Sequence, residues 1–502
     1  MRNHYSQVAE SAEAAEVDRK SIEDHGVASV ALMETAGSKT ADELISRTYP
    51  GDCIAIVCGK GNNGGDALVA ARQLQSSNRE VLIFMVMGDQ NLSEDASTNY
   101  QILQNISSER GGIQFCSSLR EIMDQPVTWW VDGIFGTGLN SEVREPVASC
   151  IQEINQHSAP VMALDVPSGL DGTTGKILGT AIRADVTLMY GMAKLGAYIE
   201  DGPDFCGNRI TLNLGFTAPA MHDLHRYLIG TTDLQSDTKE LHFEHKYKAG
   251  IVYLLAGSEG MTGAAVMAAK AAWSMGAGGV VVFTPYGLMP VFDYHLPEAV
   301  KIPVGDYSDM WFKPAHSDQV YQHLSDKHPH VLICGPGTGN HDETRQFFRN
   351  LAENYAGKMV FDADATSAFS GPGLYRPEYQ QLVITPHAGE FRQLIGKSFQ
   401  GYFDRLKAAE EYAEEQKLTL LLKGNPACVT NGVESWLTSY STHPFSRFGF
   451  GDILSGFTAA SLLHNAPEQA CISAMLTGFQ RLQQFQKRYP ETPVKPFDLI
   501  SS

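Results

Sequence analysis

The chain has 502 residues, 43% hydrophobic and 19% charged. That is ordinary globular composition and, at roughly 100–200 residues per domain, it predicts two or three domains. With 38 basic against 57 acidic residues the formal net charge is −19, which argues against nucleic acid or an anionic membrane as a main partner and requires any anionic ligand to be held by local donors. The eight cysteines form no C-x-x-C pair, as expected of buried thiols in a reducing compartment. No apolar run reaches the ~18–20 residues of a membrane span and the first twenty residues are not signal-like, so a cytoplasmic protein is expected.

Residues 7–48 read as two helices, the second carrying ALMETAG. From Gly51 short β-branched runs alternate with amphipathic stretches: CIAIVCG, ALVAARQL, VLIFMVMG, SEDASTNYQIL, WWVDGIFG, PVMALDVPSG and ADVTLMYG. This alternation predicts a parallel sheet with crossover helices. The rhythm lapses across TAPAMHDLHRYLIGTTDLQSDTKELHFEHK, which puts a boundary at about 220–240 and gives domains 1–225 and 226–502. A second α/β series follows through IVYLLAGS, TGAAVMAAKAAWSMGAGG, VVVFTP, VLICGPGTG, KMVFDADA, LVITPHAGE and TLLLKGN to a helical FGDILSGFTAASLLH. Two unequal α/β domains are expected.

Three polar loops end three strands of the first half. GKGNNGGDALVAAR places Gly59, Gly61, Gly64 and Gly65 with Asn62, Asn63 and Asp66 in a strand-to-helix turn, where glycines let backbone N–H groups reach a ligand. VDGIFGTGLN ends an apolar run at Asp132 and continues through Gly136, Thr137 and Gly138; ALDVPSGLDG carries Asp165 and Ser168. Loops at successive strand ends of an open α/β sheet converge on one crevice. Asn63, Asp132 and Ser168 offer only oxygen, which suits a hard cation better than zinc. The alternative is that these residues merely cap helices.

In the second half, FGFGDILSGFTAASL sets Gly449, Gly451 and Asp452 at a helix start, an arrangement suited to phosphoryl transfer: backbone donors for the phosphate and a carboxylate for the hydroxyl proton. A helix cap alone would also explain Asp452. GPGTG, DADA, TPHAGE and LLLKGNPA add Gly337, Asp362, Asp364, His387, Glu390 and Lys423 at other strand ends. No P-loop or protein-kinase signature occurs.

Taken together, GNNGGD, FGTGL, DVPSGLD, GPGTG, DADA, TPHAGE, LLLKG and GFGD-IL-SG resemble, in order and over nearly the whole chain, the bifunctional NAD(P)H-hydrate repair enzymes. The resemblance implies an α/β protein with an N-terminal Rossmann-like three-layer domain followed by a C-terminal ribokinase-like α/β domain. It implies epimerisation of the R and S hydrates of NADH and NADPH in the first. In the second it implies dehydration of the S hydrate with ADP as co-substrate, giving AMP and phosphate. Carried over by motif, Asn62, Asn63, Gly64, Gly65 and Asp66 would touch the hydrated dinucleotide, as would Gly136, Thr137, Gly138, Leu139, Asn140, Ser141 and Glu142. Potassium would sit on Asn63, Asp132 and Ser168; Asp165 would be the acid/base and Lys194 would stabilise charge. In the second half Ala264, Gly337, His387 and Asp452 would contact the hydrate, with Asp452 as base. Lys423, Gly424, Asn425, Pro426 and Ala427, with Gly449 and Gly451, would contact ADP. Magnesium and a homo-oligomeric state are further expectations of the resemblance.

Two departures stand out. Ala67 follows GGD where relatives have glycine, and a methyl is tolerable there if the backbone is helical. Before Asp452, relatives carry a glycine-rich stretch like GNxGMAxGGxGD, whereas this chain reads STHPFSRFGFGD, with bulky residues from His443 to Phe450 and one backbone donor removed at Pro444. Either the loop is rebuilt, with Arg447 supplying charge, or dehydration is weakened or lost. A ribokinase-like small-molecule kinase fused to an epimerase-like domain, or a second half that only binds ligand, are the competing functions.

Overall fold

In the computed structural model the described residues are 6–109, 112–230, 249–324, 330–370 and 380–500, so the second half of the expected boundary zone, 231–240, lies outside them. The chain divides into two compact units, Ser6–Arg226 with Gly401–Phe403, and principally Tyr227–Gln400 with Asp404–Ser502. Among the described residues no helix is long and apolar enough to cross a membrane.

The first unit is built on a seven-stranded sheet in the order Ile113–Phe115, Glu80–Met85, Cys53–Cys58, Val127–Gly133, Val161–Leu164, Val186–Tyr190, Asn208–Leu212, every pair parallel. The strand Cys53–Cys58 explains the continuous apolar run in the sequence. Its six residues are all buried, with Ile54, Ile56 and Cys58 in the core on one face and Cys53, Ala55 and Val57 in the core on the other. A strand covered by helices on both sides needs no polar alternation. The chain runs outward from Cys53–Cys58 to Ile113–Phe115 and returns on the opposite side at Val127–Gly133, so the order reverses between the strands that feed GNNGGD and FGTGL. Such a reversal opens a crevice at the strands' carboxyl ends.

The expected glycine turn is instead helical from its first asparagine. Gly61 is the N-cap and the helix runs Asn62–Ser76 through both Gly64 and Gly65. These glycines serve close packing: a Cβ on Gly64 would lie 2.2 Å from the Gly59 carbonyl oxygen, and one on Gly59 would lie 1.9 Å from that of Ile134. Ala67 is fully buried inside this helix, where helical backbone accommodates its methyl. Gly64→Ala is expected to destabilise the first unit by about 3 kcal/mol, because rigid backbone must move; a thermal-unfolding midpoint equal to wild type would refute this packing account. The amino-terminal region holds helices Ser11–Arg19 and Ser29–Ile45, with a strand Ser6–Ala9 before them that pairs with Ala193–Lys194 and fixes Lys194 in place.

In the second unit the strands neighbour one another in the order Val300–Val304, Gly279–Pro285, Ile251–Leu255, His330–Cys334, Lys358–Phe361, Gln381–Ile384, Thr419–Leu422, Cys428–Thr430, Ser435–Thr438. All pairs are parallel until the last two, which are antiparallel. The helices Thr262–Ser274 and Phe450–Leu462 approach closely through small residues; a Cβ on Gly456 would sit 2.3 Å from the Ala268 carbonyl oxygen. All eight cysteines are buried.

Candidate active sites

Each unit carries its own cavity at the carboxyl ends of its strands. That of the first unit is about 640 Å³ and is lined by Asn62, Asn63, Asp66, Asp165 and Lys194 together with the loop from Ile134 to Asn140. Asp165 directly follows the strand Val161–Leu164 with a left-handed backbone, φ +64°, a conformation an aspartate adopts only where its surroundings enforce it. Its carboxylate accepts the Lys194 ammonium at 2.6 Å and the Thr137 backbone N–H at 3.4 Å. Lys194 is 3% exposed in its side chain and donates also to the carbonyls of Tyr190 and Met192, at 2.7 and 3.2 Å. The ion pair and these two hydrogen bonds together compensate the cost of burying the charge.

Asp66 lies on the same cavity, and burial first, then the negative charges of Asp165, Asp18 and Asp95, hold its carboxyl well above the usual carboxylate range; only Lys194 opposes them. Gly64 and Gly65 face the sheet and the Ser29–Ile45 helix, and Ser141 and Glu142 are exposed beyond the lining. Asp18, Lys60, Met33, Tyr190 and Phe216 also line the cavity without having been singled out from the sequence. Asp18 comes from the amphipathic helix Ser11–Arg19, where one acid among several carries no local signature.

Beside this cavity the three oxygen-bearing residues meet. Ser168 donates its hydroxyl to Asp132 at 2.6 Å and its N–H at 2.8 Å, and its Oγ accepts the Phe135 N–H at 2.8 Å. Asn63 Nδ2 donates to the Phe135 carbonyl at 2.9 Å, while Asn63 Oδ1 is buried without a hydrogen-bond partner. Burial pushes the Asp132 carboxyl up to about 6 against the hydrogen bonds from Ser168 and Ile134. An orphaned carbonyl-type oxygen, a buried carboxylate lacking a counter-charge and a hydroxyl form a donor set that fits a hard monovalent cation. Among the described residues no cluster of three His, Cys, Asp or Glu offers a transition-metal site.

The cavity of the second unit is about 600 Å³. Asp362, ending the strand Lys358–Phe361, is 1% exposed and gathers the site. It receives the Lys423 ammonium at 2.8 Å, the Thr385 hydroxyl at 2.7 Å and the Ser455 hydroxyl from the helix Phe450–Leu462. Burial alone would raise this carboxyl, but the Lys423 charge and these hydrogen bonds outweigh it and hold it below the usual range. The helix start is thus clamped to the strand ends: a Cβ on Gly451 would lie 3.5 Å from Lys423 Nζ.

Asp452 is the third residue of that helix; the N-cap is Gly449, at φ +91°. Its carboxyl caps nothing and is pushed up to about 7, by burial first and then by Asp362, with Lys423 opposing. A carboxylate near neutrality beside an ammonium and the unpaired first-turn N–H groups of a helix can accept a hydroxyl proton while the phosphate is held. His387 lies on the rim with its Nδ1 already accepting from Gly389 and Glu390 N–H, at 2.9 and 3.2 Å, as the cap of the helix Ala388–Ile395. Lys423, Gly424, Asn425 and Ala427 line the cavity; Pro426 does not. Ala264 and Gly337 sit outside the lining, against each other at the Ile251–Leu255/His330–Cys334 reversal; the Gly339 N–H links this loop to Asp364 at 2.9 Å.

The bulky loop before Asp452 folds without closing the cavity. Phe450 is buried with Leu482, Val494 and Leu499, and Phe445 packs edge-on against it at 5.7 Å. Arg447 lines the cavity and donates one guanidinium N–H to the Val494 carbonyl at 3.2 Å. Phe448 is fully exposed at the rim. Phe445 and Phe450 therefore anchor the loop while lining the cavity, and Gly449 keeps the left-handed backbone at the helix N-cap.

Residues 29–196 match the model of the YjeF-related protein N-terminus family, and residues 252–499 match that of NAD(P)H-hydrate dehydratase. The chain is 31% identical to the bifunctional NAD(P)H-hydrate repair enzyme Nnr of Salinibacter ruber over 96% of this chain and 93% of that protein. It is 30% identical to the Nnr of Moorella thermoacetica over 89% and 86% respectively. Among solved structures, the ADP/ATP-dependent NAD(P)H-hydrate dehydratase of Bacillus subtilis, co-crystallised with ATP and Mg2+, is similar over 55% of this chain and 95% of its own, at 23% identity and a TM-score of 0.46.

Proposed function

The chain belongs to the bifunctional NAD(P)H-hydrate repair enzymes, which makes it an epimerase and a dehydratase of hydrated NADH and NADPH, and from that premise we propose which residues perform each activity. The observation that carries the assignment is that each unit has its own cavity holding a buried Lys–Asp pair beside a second carboxyl group: Lys194–Asp165 with Asp66, and Lys423–Asp362 with Asp452.

In the first unit Asn62, Asn63, Asp66 and the loop 136–140 hold the hydrate, and Asp165 faces the reacting ring as acid/base, oriented by Lys194 and the Thr137 N–H. Asn63, Asp132 and Ser168 would hold potassium, which when bound supplies a fixed positive charge for buried Asp132 and ties the loop at Phe135 to the helix start. Replacing choline chloride by potassium chloride is accordingly expected to raise the thermal midpoint of the full chain by about 2–4 °C, and Asn63→Ala to remove the increment. An equal midpoint in both salts would sink the cation assignment.

In the second unit Asp452 takes the proton of the ring hydroxyl as its oxygen attacks the terminal phosphorus of ADP, and AMP departs. Lys423 and the N–H groups at Gly451 and Asp452 balance the charge of the phosphate, which Arg447 and the segment from Lys423 to Ala427 help to hold. In the resulting ester, phosphate is a far better leaving group than hydroxide: the C–O bond breaks as the ring nitrogen lone pair forms the iminium, and the departing phosphate takes the proton of the neighbouring carbon, which restores the conjugated dihydropyridine. Magnesium would ride on the nucleotide phosphates with water. Mixing the full chain with hydrated NADH and ADP tests this reading: recovery of NADH absorbance with stoichiometric AMP and phosphate is expected, and a stable phosphorylated hydrate would instead mark a kinase.

A further inference from the structure

Resting on the epimerase reading of the first cavity, we propose that Asp66 is a catalytic residue, delivering a proton to the departing hydroxyl of the hydrate while Asp165 takes one from the water that enters on the opposite face of the ring. Hydration of an enamine places its hydroxyl on the carbon beside nitrogen, because protonation of the far carbon leaves an iminium there. Inverting that carbon without redox chemistry can proceed by expelling the hydroxyl as water and re-adding water from the other side. This parallels inverting glycoside hydrolysis, which needs one carboxyl group that donates and one that accepts. The cavity holds such a pair with opposite surroundings. Asp165 is paired with the Lys194 ammonium at 2.6 Å. Asp66 is only 9% exposed, lines the same cavity, and makes no hydrogen bond or ion pair among the described residues. The charges acting on it are Asp165, Asp18 from helix Ser11–Arg19 and Asp95 from helix Glu94–Glu109, opposed by Lys194; the buried Tyr190 phenol, itself pushed up by the Asp66 charge, and Lys60 line the same cavity. Burial and these negative charges hold the Asp66 carboxyl well above the usual carboxylate range, which favours the proton-donating form, while Asp165 keeps the lysine partner that Asp66 lacks.

The step balances. The Asp66 O–H proton goes to the hydroxyl, the C–O bond breaks, and water leaves as the ring nitrogen lone pair forms the iminium. A second water attacks the opposite face, forms the new C–O bond and gives its proton to Asp165. One water leaves, one enters, no electron is transferred, and the two carboxyl groups exchange protonation states. The reverse inversion or solvent restores them.

The proposal requires that each inversion carry a solvent oxygen into the product. The full chain, without ADP, is given the pure S hydrate of NADH in water enriched in ¹⁸O, and early conversion is read by mass spectrometry with an enzyme-free blank subtracted. The R epimer is expected to carry one ¹⁸O per molecule. An R epimer with its original oxygen would overturn the proposal in favour of ring opening and reclosure, which breaks the C–N bond instead. Asp66→Asn, nearly isosteric, is expected to lower kcat at least ~100-fold with KM within about threefold and an unchanged thermal midpoint, and Asp66→Glu to recover part of it. A variant with raised KM and wild-type kcat would make Asp66 a binding residue only. In the wild type kcat should fall on the alkaline side, as Asp66 ionises. A wild-type chain that does not interconvert the epimers at all fails at the assigned activity itself, a result distinct from epimerisation without oxygen exchange.

Discussion

Asp452→Asn is expected to lower ADP-driven dehydration by roughly 1,000-fold in kcat, within the range a positioned general base contributes, while epimerisation by the same preparation is unchanged. The substitution keeps the size of the side chain and makes no demand on the helix cap, which is Gly449, so the fold should survive it. What is lost is the lone pair that accepts the hydroxyl proton. The wild-type enzyme adds a second readout. The Asp452 carboxyl is pushed up to about 7, by burial first, and it acts only when ionised. Dehydration should therefore rise with pH, its acid limb centred near that value, and flatten above it. NADH absorbance, followed from pH 5.5 to 8.5 with pure S hydrate as substrate, reads both. A variant turning over at the wild-type rate, or a profile flat through neutrality, would remove Asp452 from the chemistry.

The sequence carried the strand-end loops well, for a physical reason. Parallel strands buried on both faces read as unbroken apolar runs, and the polar residues that interrupt them must lie at the ends, where α/β folds bind ligands. Asp132, Asp165, Ser168 and Lys423 could be placed by that logic, and Asp452 by the glycines that open its helix. It placed Gly64 and Gly65 in a turn, whereas they lie inside the helix, because a glycine that lets a ligand approach and one that permits close packing look alike in sequence; a Cβ on Gly64 would lie 2.2 Å from the Gly59 carbonyl oxygen and one on Gly65 would meet Met33. It did not assign Asp362 its role, because a buried aspartate ending a strand reveals nothing about the lysine sixty-one residues later that it holds. The loop before Asp452 was the sharpest uncertainty. Aromatics in place of glycines read as obstruction in the sequence; in the structure Phe445 and Phe450 pack into an apolar cluster with Leu482, Val494 and Leu499 and at the same time line the cavity.

Asp165→Asn should reduce epimerisation by a comparable factor, roughly 1,000-fold, and leave dehydration of the pure S hydrate intact. Here a structural explanation competes with the catalytic one, because Asp165 is also the sole carboxylate paired with a lysine that is 3% exposed in its side chain. Removing one member of a buried pair strands the other, at a cost of about 3 kcal/mol or more. Lost activity could then report a collapsed cavity. The pair itself supplies the control. Lys194→Met should destabilise the first unit for the same reason, leaving the Asp165 carboxylate without its counter-charge, whereas Asp165→Asn with Lys194→Met removes both charges and should recover most of the stability lost by either single change. If Asp165 acts on the substrate, the double variant regains its thermal midpoint and stays inactive as an epimerase. If the pair only props the cavity open, activity returns with stability, and the acid/base role must pass to another carboxyl group on the same wall.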